Sequence, residues 1–192
     1  MTLRKTVLVV AALNLVWFGV EFAAALRVGS VALLADSIDF LEDTSVNLLI
    51  ALALGWTALA RARLGFVLAA LMVVPAAAVL WTLWQKVQAP VVPDPLVLTW
   101  VGLGALAINL TCAFLLARFR AAQGSLTRAA FLSARNDALA NIGIIGAGLA
   151  TLAVPSVWPD VLVGLAIVYL NLDAAREVWL AARGEHDDIA EA

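Results

Sequence analysis

Apolar residues run in long blocks along this chain, and polar residues are gathered into short breaks between them. Residues 1–28 begin with the basic pair Arg4–Lys5 and continue as an apolar run that Gly29–Ser30 interrupts, with Ser30 placed to cap the next helix. A second run extends from Val31 to Ala60 and is closed by Arg61 and Arg63. The third, Leu64 to Val87, contains Pro75, which should kink it, and ends near Trp81 and Trp84, where indoles mark a membrane interface. Gln88 to Pro95 holds three prolines in eight residues and reads as a loop. A fourth run covers Leu96 to Ala117, and a fifth covers Arg128 to Leu152 after a loop in which Ser125 or Thr127 supplies the cap. Val154 to Asp160 reads as a turn, and the sixth run spans Val161 to Ala182. Blocks of about 20 apolar residues are the length of a bilayer-crossing helix. The pattern predicts an all-α polytopic membrane protein: a six-helix transmembrane bundle over residues 1–184, followed by a disordered polar tail, 185–192.

The opening run has features of a signal peptide, including Ala23–Ala24–Ala25 as a small-residue site. It is longer than a usual signal core, however, and carries Asn14 and Glu21 seven residues apart on one helical face. We read it as a span with a polar inner side.

Composition sharpens this picture. Of 192 residues, 64% are hydrophobic and 14% charged, with a mean hydropathy of +1.00, whereas about a quarter of an ordinary soluble domain is charged. Six spans leave no room for a soluble domain of usual size. A net charge of −2 and the lack of a basic cluster exclude a nucleic-acid partner. Cys112 is the sole cysteine, so neither an internal disulfide nor a thiolate cluster can form. The one histidine, His186, lies in the tail, so a metal site among the spans must be built mainly from oxygen. Asn109–Leu110–Thr111 matches a glycosylation sequon, but it falls inside a span and is discarded.

The basic residues set an orientation. Of twelve Lys and Arg, nine (Arg4, Lys5, Arg61, Arg63, Arg118, Arg120, Arg128, Arg176, Arg183) fall on one side and two (Arg27, Lys86) on the other, with Arg135 inside the fifth span. By the positive-inside rule both termini are cytoplasmic, which requires an even number of spans.

Four carboxylates, Asp36, Asp39, Glu42 and Asp43, interrupt the second span. Each costs about 2.5–3.5 kcal/mol at the centre of a membrane helix, so something must offset it. Asp39 and Asp43 lie a turn apart on one face, with Asp36 before them and Asn47 after. Two such acids repel unless a cation sits between them or one takes a proton. The fifth span has a second polar cluster, in which Ser133 and Asn141 lie a turn before and after Asp137. Packed side by side, the two spans would bring Asp39, Asp43, Asp137 and Ser133 around one divalent ion. Arg135 cannot shed its proton and needs a partner such as Glu42 or Glu21. Asp160 and Asp173, near the ends of the sixth span, read as interface residues.

The strings Asn14-x6-Glu21, GSVALLADSIDFLED and SLTRAAFLSARNDALANIGII resemble the cation diffusion facilitator family of divalent-metal transporters. The resemblance covers most of the chain and is weakest in the third and fourth spans. It implies a transported ion near the membrane midplane, bound by Asp39 and Asp43 from the second span and by Ser133 and Asp137 from the fifth. Where the family usually has histidine or aspartate this chain has Ser133, a weak ligand, so water or Asn136 would complete the shell. Most members continue into a ferredoxin-like cytoplasmic domain. This chain is expected to be a short form without it, and a homodimer is implied by the resemblance alone.

On this reading the protein is not an enzyme and has no resident cofactor. It is a secondary transporter of the bacterial inner membrane, exporting a divalent metal (Zn, Mn, Fe, Co or Cd) in exchange for protons. An all-oxygen shell suits Mn²⁺, Fe²⁺ or Co²⁺ before Zn²⁺, which the family favours. The rival reading is a non-transporting membrane subunit in which the acids and Arg135 form a structural ion-pair network.

Overall fold

The computed structural model describes residues 2–53, 77, 79–117, 119 and 125–190. It gives the backbone alone for 53, 125–136, 174–175, 177–178, 181–182 and 184–190. All regular structure among the described residues is helical. The end of the second predicted span, the arginines that close it and the Pro75 kink lie outside the described residues, as does most of the loop after Ala117.

Helix α1 (Leu3–Val28) is capped at its start by Thr2, whose hydroxyl accepts from the Lys5 amide. Gly29 ends it with a left-handed φ of 64°, a conformation that glycine adopts without a Cβ penalty. Helix α2 (Val31–Ala53) begins at once, with the Ser30 hydroxyl accepting from Leu33 N at 3.1 Å, the cap its position predicts. Helix α3 is described over residues 79–88 and ends where the sequence predicts. Helix α4 (Pro95–Ala117) has Asp94 as its cap, taking the amides of Leu96 and Val97, and proline in its first position. Helix α5 runs Ser125–Ala153 and helix α6 runs Trp158–Ala190.

Two boundaries differ from the sequence reading. Trp158, Pro159 and Asp160 belong to the first turn of α6, not to the preceding turn, because a proline there lacks only an amide that no helical carbonyl would have taken. The tail is helical to Ala190 rather than disordered from residue 185, since extending an existing helix carries no new nucleation cost.

The closest pairings are α1 with α2 and α4 with α5; α6 lies against both α2 and α5, and α2 touches α5. Close approach has local causes. A Cβ on Gly164 of α6 would stand 2.8 Å from Val31 Cγ1 and 3.1 Å from the Ala32 amide nitrogen, and one on Gly104 of α4 would overlap the Trp17 ring of α1.

Buried apolar side chains form two separate clusters. One joins Ala25, Leu33, Leu98, Ile144 and Ile167, among others, at the end holding the α1–α2 and α5–α6 turns. The other joins Val7, Val10, Ile50, Cys112 and Leu116 toward the opposite end. Outside, large apolar side chains are bare: Phe114 is 81% exposed, Trp100 71% and Tyr169 69%. α1 and α4 are each long and apolar enough to cross a membrane. α2 contains too many acids to meet the same criterion, and its three aspartates face inward.

Candidate cation site

Between the two apolar clusters lies a polar layer. Each helix that contributes to it places its polar residue about where the apolar stripe would otherwise continue: Asn14 and Glu21 on α1, Asp36 to Asn47 on α2, Asn109 on α4, Asp137 and Asn141 on α5, Asn171 on α6. Asp39 is eight residues into α2, or about 12 Å along its axis.

The acids of α2 fan toward three neighbours. Asp36 accepts from Asn141 Nδ2 at 2.5 Å, and Asn141 Oδ1 in turn accepts from Asn109 Nδ2 at 3.0 Å. Asp39 accepts from the Asn171 side-chain amide. Asp43 accepts from Asn14 Nδ2 at 3.5 Å, while Asn14 Oδ1 takes the Cys112 thiol at 3.5 Å. Asn47 folds back on its own helix, donating to the Asp43 carbonyl at 2.8 Å. Asp36, Asp39 and Asp43 are all buried. Amides, not cations, partner the three carboxylates in these hydrogen bonds. An amide donor satisfies an acceptor oxygen without adding a second buried charge.

α2 touches α5, and Asp137 on α5 is near enough to Asp39 on α2 for their charges to repel. Asp36, Glu42 and Asp43 add to that repulsion. Among the described residues no three acidic, histidine or cysteine side chains close into a shell able to hold a metal ion. Glu42 is half-buried, and its Oε1 has no donor among the described residues. The side chains of Ser133, Arg135, Asn136 and the tail residues Glu185 to Asp188 lie outside the described residues.

Sequence reasoning left Asn109 and Asn171 out of the site, although an amide inside an apolar span is itself a signal of a polar interior. It also misread Asp160. Asp173 is exposed, as expected of an interface residue, but Asp160 is wholly buried. Its carboxylate accepts from Ser30 Oγ (2.5 Å), Val31 N (2.9 Å) and Ala32 N (3.2 Å), and pairs with Lys86 Nζ at 2.6 Å. Lys86 also donates to the Gly29 carbonyl at 2.6 Å. The helix start of α2, the end of α1, the end of α3 and the start of α6 are thus fastened at one point. The pairing unites residues 74 apart in sequence, which no local pattern reveals.

Residues 7–182 match the family described as the cation efflux transmembrane domain. Among curated proteins, none matches the chain.

Proposed function

Because the chain belongs to the cation efflux family, whose members are membrane-embedded cation transporters and not enzymes, we propose that it exports a divalent metal ion from the cytoplasm in exchange for protons. The observation that carries this reading is the approach of Asp39 on α2 to Asp137 on α5 inside the bundle. Like charges brought together in a low dielectric need a positive guest, and a doubly charged ion is one that two or three carboxylates can balance. Asp39, Asp43 and Asp137 are the acidic ligands, with Ser133 or Asn136 and water completing the shell. Oxygen ligands favour Mn²⁺, Fe²⁺ or Co²⁺ over Zn²⁺. The ligands must be ionised to hold metal, so affinity falls as pH falls, and protonation on the acidic side discharges the ion. Six spans with both termini in the cytoplasm, in a bacterial inner membrane and paired as a homodimer, are the setting this reading requires.

The amides on Asp36, Asp39 and Asp43 favour one rival, a non-transporting subunit whose acids are structural. Reconstituted vesicles separate the two. Mn²⁺ and Zn²⁺ flux should be abolished by Asp39→Asn and by Asp137→Asn, with folding retained. Undiminished flux in both variants refutes the site, and no flux or calorimetric binding in the wild type favours the structural reading.

A further inference from the structure

Glu21 and Asp36 occupy the polar layer beside the proposed ligands without belonging to them. They come from α1 and α2, both are wholly buried, and they lie within hydrogen-bonding reach of one another. Asp36 gives one oxygen, Oδ2, to Asn141. Its Oδ1 and both oxygens of Glu21 have no donor among the described residues. Three acceptor atoms therefore lie together with nothing to donate between them, an arrangement that is strongly unfavourable unless a proton or a cation fills it.

We infer that the Glu21–Asp36 pair is a proton-binding site, distinct from the cation ligands, which carries protons in the proposed exchange and rests on that reading. A single O–H between the carboxyls supplies the missing donor and leaves the pair with one negative charge. A metal ion fits less well. It needs four or more ligand atoms, and the Asn141 amide turns its N–H side to Asp36 while its oxygen is engaged by Asn109. That partial positive charge suits a carboxylate and repels a cation.

The pair is electrically linked to the ligand set. Among the described residues, Asp39 acts on Glu21, and Asp39 and Asp43 act on Asp36; α4 and α5 present the neutral amides of Asn109 and Asn141. While Asp39 and Asp43 are ionised and empty, their charge holds the proton on the pair. When they take up a doubly charged ion their negative charge is neutralised, the O–H bond breaks, and the proton leaves to water as its electron pair stays on the carboxylate. No oxidant or reductant is involved.

Glu21→Gln tests this in the full chain, since a glutamine keeps the shape and gives Asp36 a permanent N–H donor. With Mn²⁺ and Zn²⁺ as probes, the variant should bind either ion within about threefold of the wild-type affinity. It should release about one proton fewer per ion bound. The infrared carbonyl band of a protonated carboxyl, present in the metal-free wild type at neutral pH and lost on adding Zn²⁺, should be missing. Asp36→Asn should behave alike and guards against a folding defect in one variant. Unchanged proton release with an unchanged band overturns the proton site while leaving the exporter reading intact. Loss of metal binding in both folded variants overturns it by making the pair a cation ligand. If the wild type itself binds metal and releases no proton, the exchange reading falls first and this one with it.

Discussion

Asn171 decides how Asp39 behaves when no cation is bound. Its amide is the donor the structure gives to that carboxylate from α6, and replacing it with leucine strips a buried acceptor of its partner. The expected loss is about 1–3 kcal/mol in the metal-free protein. A bound ion would supply the missing positive charge, so Mn²⁺ should raise the melting temperature of Asn171→Leu more than that of the wild type. An equal rise would mean that Asn171 and the ion do not address the same oxygen. Asp160 makes a different prediction, because its partner is a full charge. Asp160→Ala leaves the Lys86 ammonium buried without a counter-charge and takes the acceptor from the Val31 and Ala32 amides, and should cost about 3–5 kcal/mol by thermal unfolding in detergent. Adding Lys86→Met should recover part of that loss, because the uncompensated charge is then gone. At this scale the acids were legible in the sequence and their partners were not. A carboxylate in an apolar run has few meanings, whereas asparagine in a helix is common, and its choice among Asp36, Asp39 and Asp43 depends on helix rotation.

Among the described residues the helices follow the hydrophobic pattern, because a span must satisfy every backbone group internally and can only be regular. The sequence reading failed at places where a residue has two grammars. Pro159 breaks a helix interior but is tolerated in a first turn, and the polar run after Gly184 is helical because α6 already exists to be extended. Contact between helices depends on small residues that periodicity does not single out. Gly164 lets α6 reach the backbone of Ala32, and Gly164→Val should push the helices apart at a cost of about 1–3 kcal/mol, measurable as a lower melting temperature. A variant as stable as the wild type would show that this approach is not maintained in the membrane.

For the molecule as a whole, the polar layer is closed on both sides by the two apolar clusters. Passage of an ion therefore requires one cluster to part while the other stays shut, the usual demand of alternating access. The positive-inside reading adds a test of topology: single cysteines introduced at residues 2 and 190 should react with an impermeant maleimide only after the membrane is opened. The native Cys112 is buried and should contribute little background. Labelling from outside at both ends would reverse the proposed direction of export, and labelling at one end alone would overturn the even number of spans.

The knot of Ser30, Asp160, Lys86 and Gly29 has a mechanical meaning. Four helix ends riveted together favour a pivot at this end, because opening here means prising apart a desolvated ion pair, a cost that parting the apolar cluster at the other end does not carry. A turnover cycle built on such a hinge is lopsided, with its slow stroke on the clasped side, and loosening the clasp would quicken that stroke while surrendering the seal.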